Sequence, residues 1–396
     1  MRKHFKKIIA GIVLLLIICV VAGVALYKHF FDAGIVDMLS VSSDGQYVIS
    51  TDEKEWAILW DLRTHTKKVL DKKSHIFSAY FIPNTDSFLW QSQNKIVHIE
   101  NVNGQVIKEF KLPFYIYGIG MPKNSEYFMV GDIGDGQYYC HLTQCTMVSK
   151  PESNDPSIFL ADQPHVYSID NIDNRYILGS NLWGVYLWNL KTGKIVHHYI
   201  QNVAKTFATL SPNGKYVVSG DEGGGLFSWD LNTNCPFISY DDPYLGNNLA
   251  PPSPTAQPMG SDDERNLQRF YKKWHLLGVK PDENDIPKMP GDFKDKDGIY
   301  TNAVISVKFI DQTHYLRFTT RIPYAILYDV TNPKPLKYLP LGRDPMPSVS
   351  YYQRDEAIDT SPSAHILVTG KDSEGGILVY QYDPKTQTLK KIWDGE

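Results

Sequence analysis

The 396-residue chain lacks the short motifs that identify many catalytic folds. It contains no Gly-x-Ser-x-Gly turn, and the glycine-rich run at residues 220–225 is not followed by Gly-Lys-Ser/Thr. Because that run joins two predicted strands, we interpret it as a hairpin turn. The sequence predicts no catalytic residue and favours a non-enzymatic protein, although an active site assembled from several repeats would leave no local motif.

Metal-binding patterns are missing as well. Residues 295–298 are similar to part of a calcium loop, but Phe293 and Val304 occupy the first and last ligand positions, where acids are needed. His197 and His198 are adjacent on a predicted strand, so their side chains point to opposite faces and cannot bind one ion. We therefore predict neither a metal site nor a cofactor.

Positive charge is scarce beyond the N-terminus. Residues 1–29 hold five of the 40 Lys and Arg and no acid, so the rest of the chain carries 35 basic and 44 acidic residues, a net charge of −9. Neutralising phosphates requires a concentrated basic surface, and so nucleic acid is excluded as a predicted partner.

Cysteine is also rare, with four residues in the chain. Cys19 lies in an apolar run, whereas Cys140 and Cys145 flank a predicted turn between two strands. Opposite positions of a hairpin bring Cβ atoms close enough for a disulfide, which an oxidising compartment would favour. A Cys140–Cys145 disulfide and two independent thiols are both compatible with this spacing, and Cys235 is left unpaired.

One long apolar run is present, from Ile8 to Tyr27. Its 20 uncharged residues match the length that a helix needs to cross a bilayer. Four basic residues and no acid precede it, which predicts a cytoplasmic N-terminus and a periplasmic or otherwise extracytoplasmic chain beyond. A signal peptide cleaved near residues 23–25 is the alternative, but the apolar run continues past that site and favours a retained, single-pass signal-anchor.

The rest of the chain is built on a repeat of turns and strands. Ser-Asp-Gly-Gln-Tyr at residues 43–47 leads to Leu-Trp-Asp-Leu at 59–62, and Ser-Pro-Asn-Gly-Lys-Tyr at 211–216 leads to Ser-Trp-Asp-Leu at 228–231. A third copy ends at Trp188-Asn189. β-branched and aromatic residues favour strands, while Gly, Asn and Asp favour the turns between them.

Weaker copies place Ile99-Glu100, Cys140-His141, Tyr328-Asp329 and Tyr380-Gln381 where the Trp-Asp pair stands. Successive pairs are 39, 41, 48, 41, 99 and 52 residues apart, close to the 40 to 45 residues of a four-stranded propeller blade except at the long interval. We predict seven blades and one insertion. Trp60, Trp188 and Trp229 are expected to pack blade against blade.

These units resemble the WD-repeat family of β-propellers, over most of residues 35–396. The Gly-His dipeptide of that family is missing, and the Trp-Asp pair is intact at Trp60 and Trp229 alone. The resemblance implies an all-β, seven-bladed, WD-repeat-like propeller, preceded here by one transmembrane helix. The predicted divisions are a basic tail and transmembrane helix at 1–29, the propeller at 30–396, and an insertion within it at 243–301, between blades five and six.

The insertion opens with a proline-rich connector and continues with a predicted helix. Ser261 and Glu264 form a capping box, and apolar residues from Leu267 to Leu277 follow at three- and four-residue steps. The helix either packs on the propeller as a lid or presents a docking surface for a protein or the lipid interface. The candidate partner-binding residues are Arg269, Phe270, Lys272, Lys273 and Trp274.

Members of the WD-repeat family commonly act as scaffolds. The resemblance, the anchor and the missing catalytic motifs together predict a membrane-tethered scaffold for protein–protein interaction, whose partners include membrane proteins. The alternative is a periplasmic propeller enzyme or ligand-binding sensor that uses the central channel. Converging acids or histidines in a deep channel would favour that alternative.

Overall fold

Seven four-stranded antiparallel sheets make up the part of the chain that the computed structural model describes. The described residues are 34–147, 168–240, 304–341 and 357–395, apart from short gaps in connections between strands, together with residue 13 and residues 17–23. In each sheet the four strands follow one another in chain order.

The first four sheets come from residues 36–200. Their strands are, in sheet 1, β1 (Val36–Val41), β2 (Tyr47–Asp52), β3 (Ala57–Asp61) and β4 (Thr66–Asp71); in sheet 2, β5 (Ala79–Phe81), β6 (Ser87–Gln91), β7 (Ile96–Asn101) and β8 (Val106–Lys111); in sheet 3, β9 (Ile116–Gly120), β10 (Tyr127–Asp132), β11 (Gln137–His141) and β12 (Gln144–Met147); and in sheet 4, β13 (Ser168–Asp170), β14 (Tyr176–Asn181), β15 (Gly184–Asn189) and β16 (Lys194–Ile200).

The last three sheets come from residues 206–395. Their strands are, in sheet 5, β17 (Thr206–Leu210), β18 (Tyr216–Asp221), β19 (Leu226–Asp230) and β20 (Cys235–Tyr240); in sheet 6, β21 (Val304–Phe309), β22 (His314–Thr319), β23 (Tyr324–Asp329) and β24 (Lys337–Pro340); and in sheet 7, β25 (Ile358–Ser361), β26 (Ile366–Gly370), β27 (Ile377–Asp383) and β28 (Thr388–Gly395). The interval 241–303, which contains the predicted insertion, lies outside the described residues.

Neighbouring sheets pack face to face in chain order, and the seventh packs on the first. The first strands make most of these contacts: β1 lies against β5 and β25, β13 against β9 and β17, and β21 against β17 and β25. Sheets 2 and 3 share an apolar cluster that includes Leu89, Phe110 and Phe128. The described sheets therefore form a closed ring.

The direction of the strands defines two faces of this ring. β1 and β5 run the same way, since Ala79 N–H donates to Met38 Sδ and Phe81 N–H donates to Ser40 Oγ. We call the face where first strands begin the entry face; it also carries the connections from each fourth strand to the next sheet. The opposite face, with the turns between first and second strands, is the turn face.

The repeated turn sequence forms the same structure in sheets 1 and 5. Ser42 Oγ accepts the N–H groups of Gln46 and Tyr47, and Ser211 Oγ accepts those of Lys215 and Tyr216. Gly45 and Gly214 have φ of 68° and 67°, a conformation that favours glycine. A serine followed three residues later by glycine therefore sets the link between the first and second strands.

Trp60 packs between two sheets, as the sequence predicts. Its side chain is fully buried in an apolar cluster that also contains Val368 and Val379 of sheet 7. The indole N–H donates to Ser50 Oγ at 2.8 Å, so the one polar atom of the ring is satisfied. The side chains of Trp188 and Trp229 lie outside the described residues.

The strand register corrects one of the weaker repeats. Trp60 and Asp61 lie opposite Val48 and Tyr47 at the start of β2, and the equivalent partners of β6 are Glu100 and Asn101, not Ile99 and Glu100. Asn101 Oδ1 accepts the N–H groups of residues 103 and 105 in the turn that follows it, as Asp61 Oδ1 accepts those of residues 63 and 64. Ile99 is apolar, as expected of a residue in the position of Trp60, but the register places Glu100 in that position.

The predicted transmembrane segment is largely outside the described residues. Residue 13 and residues 17–23 are helical, and the side chains of Val13, Ile17, Ile18, Val20 and Val21 are all exposed. Among the residues that the structure describes, no helix has both the length and the hydropathy needed to cross a membrane. The anchor from Ile8 to Tyr27 stays a prediction.

Candidate functional site

The candidate partner-binding residues of the insertion are not placed by the structure. Arg269, Phe270, Lys272, Lys273 and Trp274 all fall within residues 241–303, outside the described part. The described strands fix only where this connection leaves and returns. It follows β20, the fourth strand of sheet 5, and precedes β21, the first strand of sheet 6, so both of its ends lie on the entry face.

The chain also reaches the ring from its N-terminus on the entry face, at the junction of sheets 1 and 7. Gly34 N–H donates to Asp52 Oδ2 at 2.7 Å, and Gly34 C=O accepts the N–H of Gly376 at 3.2 Å. Asp52 belongs to sheet 1 and Gly376 to the turn before β27 of sheet 7. Gly34 thus contacts the first and the last sheet at once.

Asp52 is a buried acid whose two oxygens have different partners. Oδ2 binds Gly34, whereas Oδ1 accepts the N–H groups of Lys54 and Trp56 in the following turn, each at 3.0 Å. Burial raises the pKa of Asp52, and the three backbone hydrogen bonds only partly offset that effect. The carboxylate therefore holds three backbone amides, from Gly34, Lys54 and Trp56.

A buried lysine lies at the same junction. The side chain of Lys371 is 2% exposed and its Nζ is 2.7 Å from Asp394 Oδ1, while Lys391 Nζ approaches the other oxygen at 3.0 Å. Burial alone would raise the pKa of Asp394, but the two ammonium groups outweigh it and lower that pKa. The arrangement is an ion-pair network that joins β28 to the end of β26.

The turn face has its own cluster of titratable groups, where sheet 6 meets sheet 7. His314 Nδ1 lies 2.8 Å from Asp311 Oδ2, and its Nε2 lies 3.8 Å from Asp329 Oδ2. The Asp311 carboxylate raises the pKa of His314. For Asp311, burial acts to raise the pKa, but hydrogen bonds from His314 and from backbone amides lower it overall.

This cluster makes the stability of the ring depend on pH. Because the pKa of His314 is raised in the folded chain, the protonated imidazole stabilises the fold. This stabilisation is complete below the ordinary histidine pKa of about 6.5, and it is lost as the pH rises through the pKa of His314 in the folded chain. We expect His314→Gln to lose about 1 kcal/mol of unfolding free energy at pH 5.5 and much less at pH 8.5. Urea unfolding at both pH values measures the difference; an equal loss at the two would contradict this role.

The first strands of the sheets are those that would line a central channel. The carboxylate of Asp359, in β25, accepts a hydrogen bond of 2.8 Å from the N–H of Val41, across the junction with sheet 1. Most apolar residues of β1, β17, β21 and β25 are buried. In the described stretches of the chain, no group of three or more His, Cys, Asp or Glu is arranged to hold a metal ion.

Cys140 and Cys145 form a disulfide in the structure. They lie directly opposite each other on β11 and β12, with Cα atoms 4.0 Å apart. The Cys140 side chain is buried beside Phe128 and Val130, in the cluster shared by sheets 2 and 3. This bridge links β12, the fourth and outermost strand of sheet 3, to the neighbouring strand β11.

Sequence reasoning missed the groups that hold the entry face together. Asp52 stands at the last position of a second strand, and Asp132 and Asp221 occupy that position in sheets 3 and 5. This recurrence is visible in the repeat, but the role of Asp52 depends on Gly34, which precedes the first repeat. In the His314 cluster, Asp311 stands three residues before His314, a spacing visible in the sequence, whereas Asp329 comes from the end of β23.

Comparison with known proteins adds one structural likeness. No family model matches the chain, and no curated protein matches it. Among solved structures, the β-propeller domain of Cps50 (Swd1) from Myceliophteria thermophila superposes with a TM-score of 0.55 at 13% identity, over 89% of this chain and 97% of that one. At this identity the likeness concerns the fold alone, and together with the closed ring of sheets it shows that the chain is a β-propeller.

Proposed function

We propose that the protein is a membrane-tethered, seven-bladed propeller that acts as a non-catalytic scaffold for other proteins on the exported side of a membrane. The apolar run from Ile8 to Tyr27 supports the tether. Within it, every residue from 17 to 23 is exposed, and these residues cover all sides of a helix, so no side of this stretch packs on the ring. A helix that is apolar all round requires an apolar environment.

The position of Gly34, where the chain enters the ring, is the main support for the proposed orientation. Five residues separate Lys28, which follows the apolar run, from Gly34, and the six steps from Lys28 to Gly34 span about 21 Å at most when the chain is fully extended. Gly34 is bound on the entry face, between sheets 1 and 7. A propeller tethered by such a short link holds its entry face toward the membrane.

The two ends of the insertion then lie on the face that looks toward the membrane. Residues 241–303 leave and rejoin the ring on the entry face, and they contain the aromatic and basic residues from Arg269 to Trp274. Aromatic residues and arginine dominate the energetics of protein interfaces. We assign partner binding to this connection and expect the partner to be a protein in, or close to, the same membrane.

Crosslinking in native membranes tests the assignment. In the double variant Phe270→Ala/Trp274→Ala, adducts with partner proteins should fall at least about tenfold, because truncating two aromatic anchors costs a few kcal/mol of binding. Gln268→Ala, in the same predicted helix but outside its apolar stripe, is the matched control and should retain the adducts. Unchanged adducts in the double variant, with an intact disulfide and normal abundance, would refute the docking role.

A further inference from the structure

The ring closes by packing and not by exchange of a strand. Among the described strands, sheet 1 consists of β1 to β4 and sheet 7 of β25 to β28, and none from one end of the chain completes the sheet of the other end. Between these two described sheets the junction therefore has no continuous ladder of backbone hydrogen bonds. It depends on side-chain packing and on a small number of specific contacts.

Those contacts are distributed over both faces. On the turn face, Ser361 Oγ donates to Ser43 C=O at 2.7 Å. At the end of β1, next to that turn, the N–H of Val41 donates to Asp359. On the entry face, Gly376 N–H donates to Gly34 C=O, and Gly34 N–H in turn donates to Asp52. The entry-face contact differs from the other two because it runs through a residue that precedes the first strand.

Packing beside Gly34 is equally close. A Cβ atom on Gly370 of sheet 7 would lie 3.1 Å from Val36 Cβ, so the start of β1 fits directly against the backbone of β26. Val36 is buried in the cluster shared by sheets 1 and 7. Displacing the chain at Gly34 would also displace Val36, and with it the edge of that cluster.

We infer that Asp52 is a clamp that makes the N-terminal link part of the ring closure, so that a pull on this link acts first on the junction of sheets 1 and 7. Asp52 is a positioning residue: one oxygen holds the turn of sheet 1, and the other holds Gly34 against sheet 7. The clamp itself needs no membrane. That the pull comes from a membrane anchor rests on the proposed function.

Replacing Asp52 by asparagine tests the clamp with little change in shape. Asn Oδ1 can still accept the N–H groups of Lys54 and Trp56, but the amide NH₂ faces Gly34 N–H and cannot accept from it. We expect the amides of Gly34 and Gly376 to exchange hydrogen at least about tenfold faster in the full-length variant, the effect of losing one buried hydrogen bond. Amides of β18, in sheet 5, should be unchanged.

Asp44→Asn is the matched control. It removes one negative charge from the turn face of the same sheet, where Asp44 Oδ1 binds Ser42 Oγ and the N–H of Gln46 and an asparagine oxygen serves equally. Exchange at Gly34 and Gly376 should stay at the wild-type rate in this control. Equal rates in the two variants would overturn the clamp.

The wild-type chain offers a second test, in case Asp52→Asn does not fold. One opening event breaks both bonds of Gly34, so the amides of Gly34 and Gly376 should be protected to the same degree; a freely exchanging Gly34 amide overturns the clamp. Flotation of the same samples with liposomes reports separately on the tether. A chain that fails to float but keeps both amides protected would refute the membrane anchor and support the clamp.

Discussion

Gly220→Ala should destabilise the ring by about 3 kcal/mol or more, because the new methyl group has no room. Its Cβ would lie 2.4 Å from Val304 Cγ1 and 2.8 Å from Val304 Cβ, and Val304 is itself fully buried at the start of β21. Sheets 5 and 6 would have to separate locally to relieve the contact. Urea unfolding measured by tryptophan fluorescence gives the change in unfolding free energy.

Alanine substitutions at two further glycines test whether the loss of stability follows the space available for a Cβ atom. At Gly370 the nearest atom to an added Cβ is Val36 Cβ at 3.1 Å, so Gly370→Ala should cost clearly less than Gly220→Ala. At Gly214 there is open space, and alanine there should cost only the roughly 1 kcal/mol of a positive φ. Equal losses at Gly220 and Gly214 would show that sheets 5 and 6 do not pack as described.

Introducing two arginines into the apolar run should release the protein from membranes. On insertion scales each arginine near the centre of a spanning helix costs about 2.5 to 3.5 kcal/mol, so Ile17→Arg/Val20→Arg removes the preference for the bilayer. We expect the variant in the soluble fraction after carbonate extraction, whereas the wild type stays with the membrane. Ile17→Leu/Val20→Leu is the conservative control and should behave as the wild type.

The mature N-terminus separates a retained anchor from a cleaved leader. The anchor predicts that purified protein still contains residues 2–7, with their four basic side chains. Cleavage near Ala25 would remove them, and the ring would then be released although export succeeded. Mass determination of the intact protein distinguishes the two, and a mass that lacks the first 25 residues contradicts the tether.

The fold could be predicted because each copy of the repeat is recognised from residues that are close together in the sequence. A turn of the type Ser-x-x-Gly, a second strand and a third strand ending near Trp-Asp recur often enough to indicate repeated antiparallel sheets, and Trp60 lies between sheets as expected for a buried aromatic. Antiparallel neighbours also explain why Cys140 meets Cys145 across β11 and β12. Each of these features depends on residues close together in the chain.

The features that were missed depend on residues far apart. Gly34 accepts a hydrogen bond from Gly376 because the first and last sheets are adjacent in the closed ring, and no local sequence pattern predicts this contact. His314 owes its raised pKa mainly to Asp311, only three residues before it, but its second acid, Asp329, comes from the end of β23. Glu100 replaces the expected apolar residue because register, and not hydrophobicity alone, decides which side chain stands opposite Phe88.

The position of the propeller relative to the membrane is the central claim, and a tag fused after Glu396 tests it directly. β28, the last strand of sheet 7, ends at Gly395, so a tag joined after Glu396 would lie on the same side of the membrane as the ring. In sealed cells with their cytoplasmic membrane intact, protease added from outside that membrane should remove the tag without detergent. A tag that is cut only after the cytoplasmic membrane is permeabilised would place the propeller in the cytosol and contradict the account.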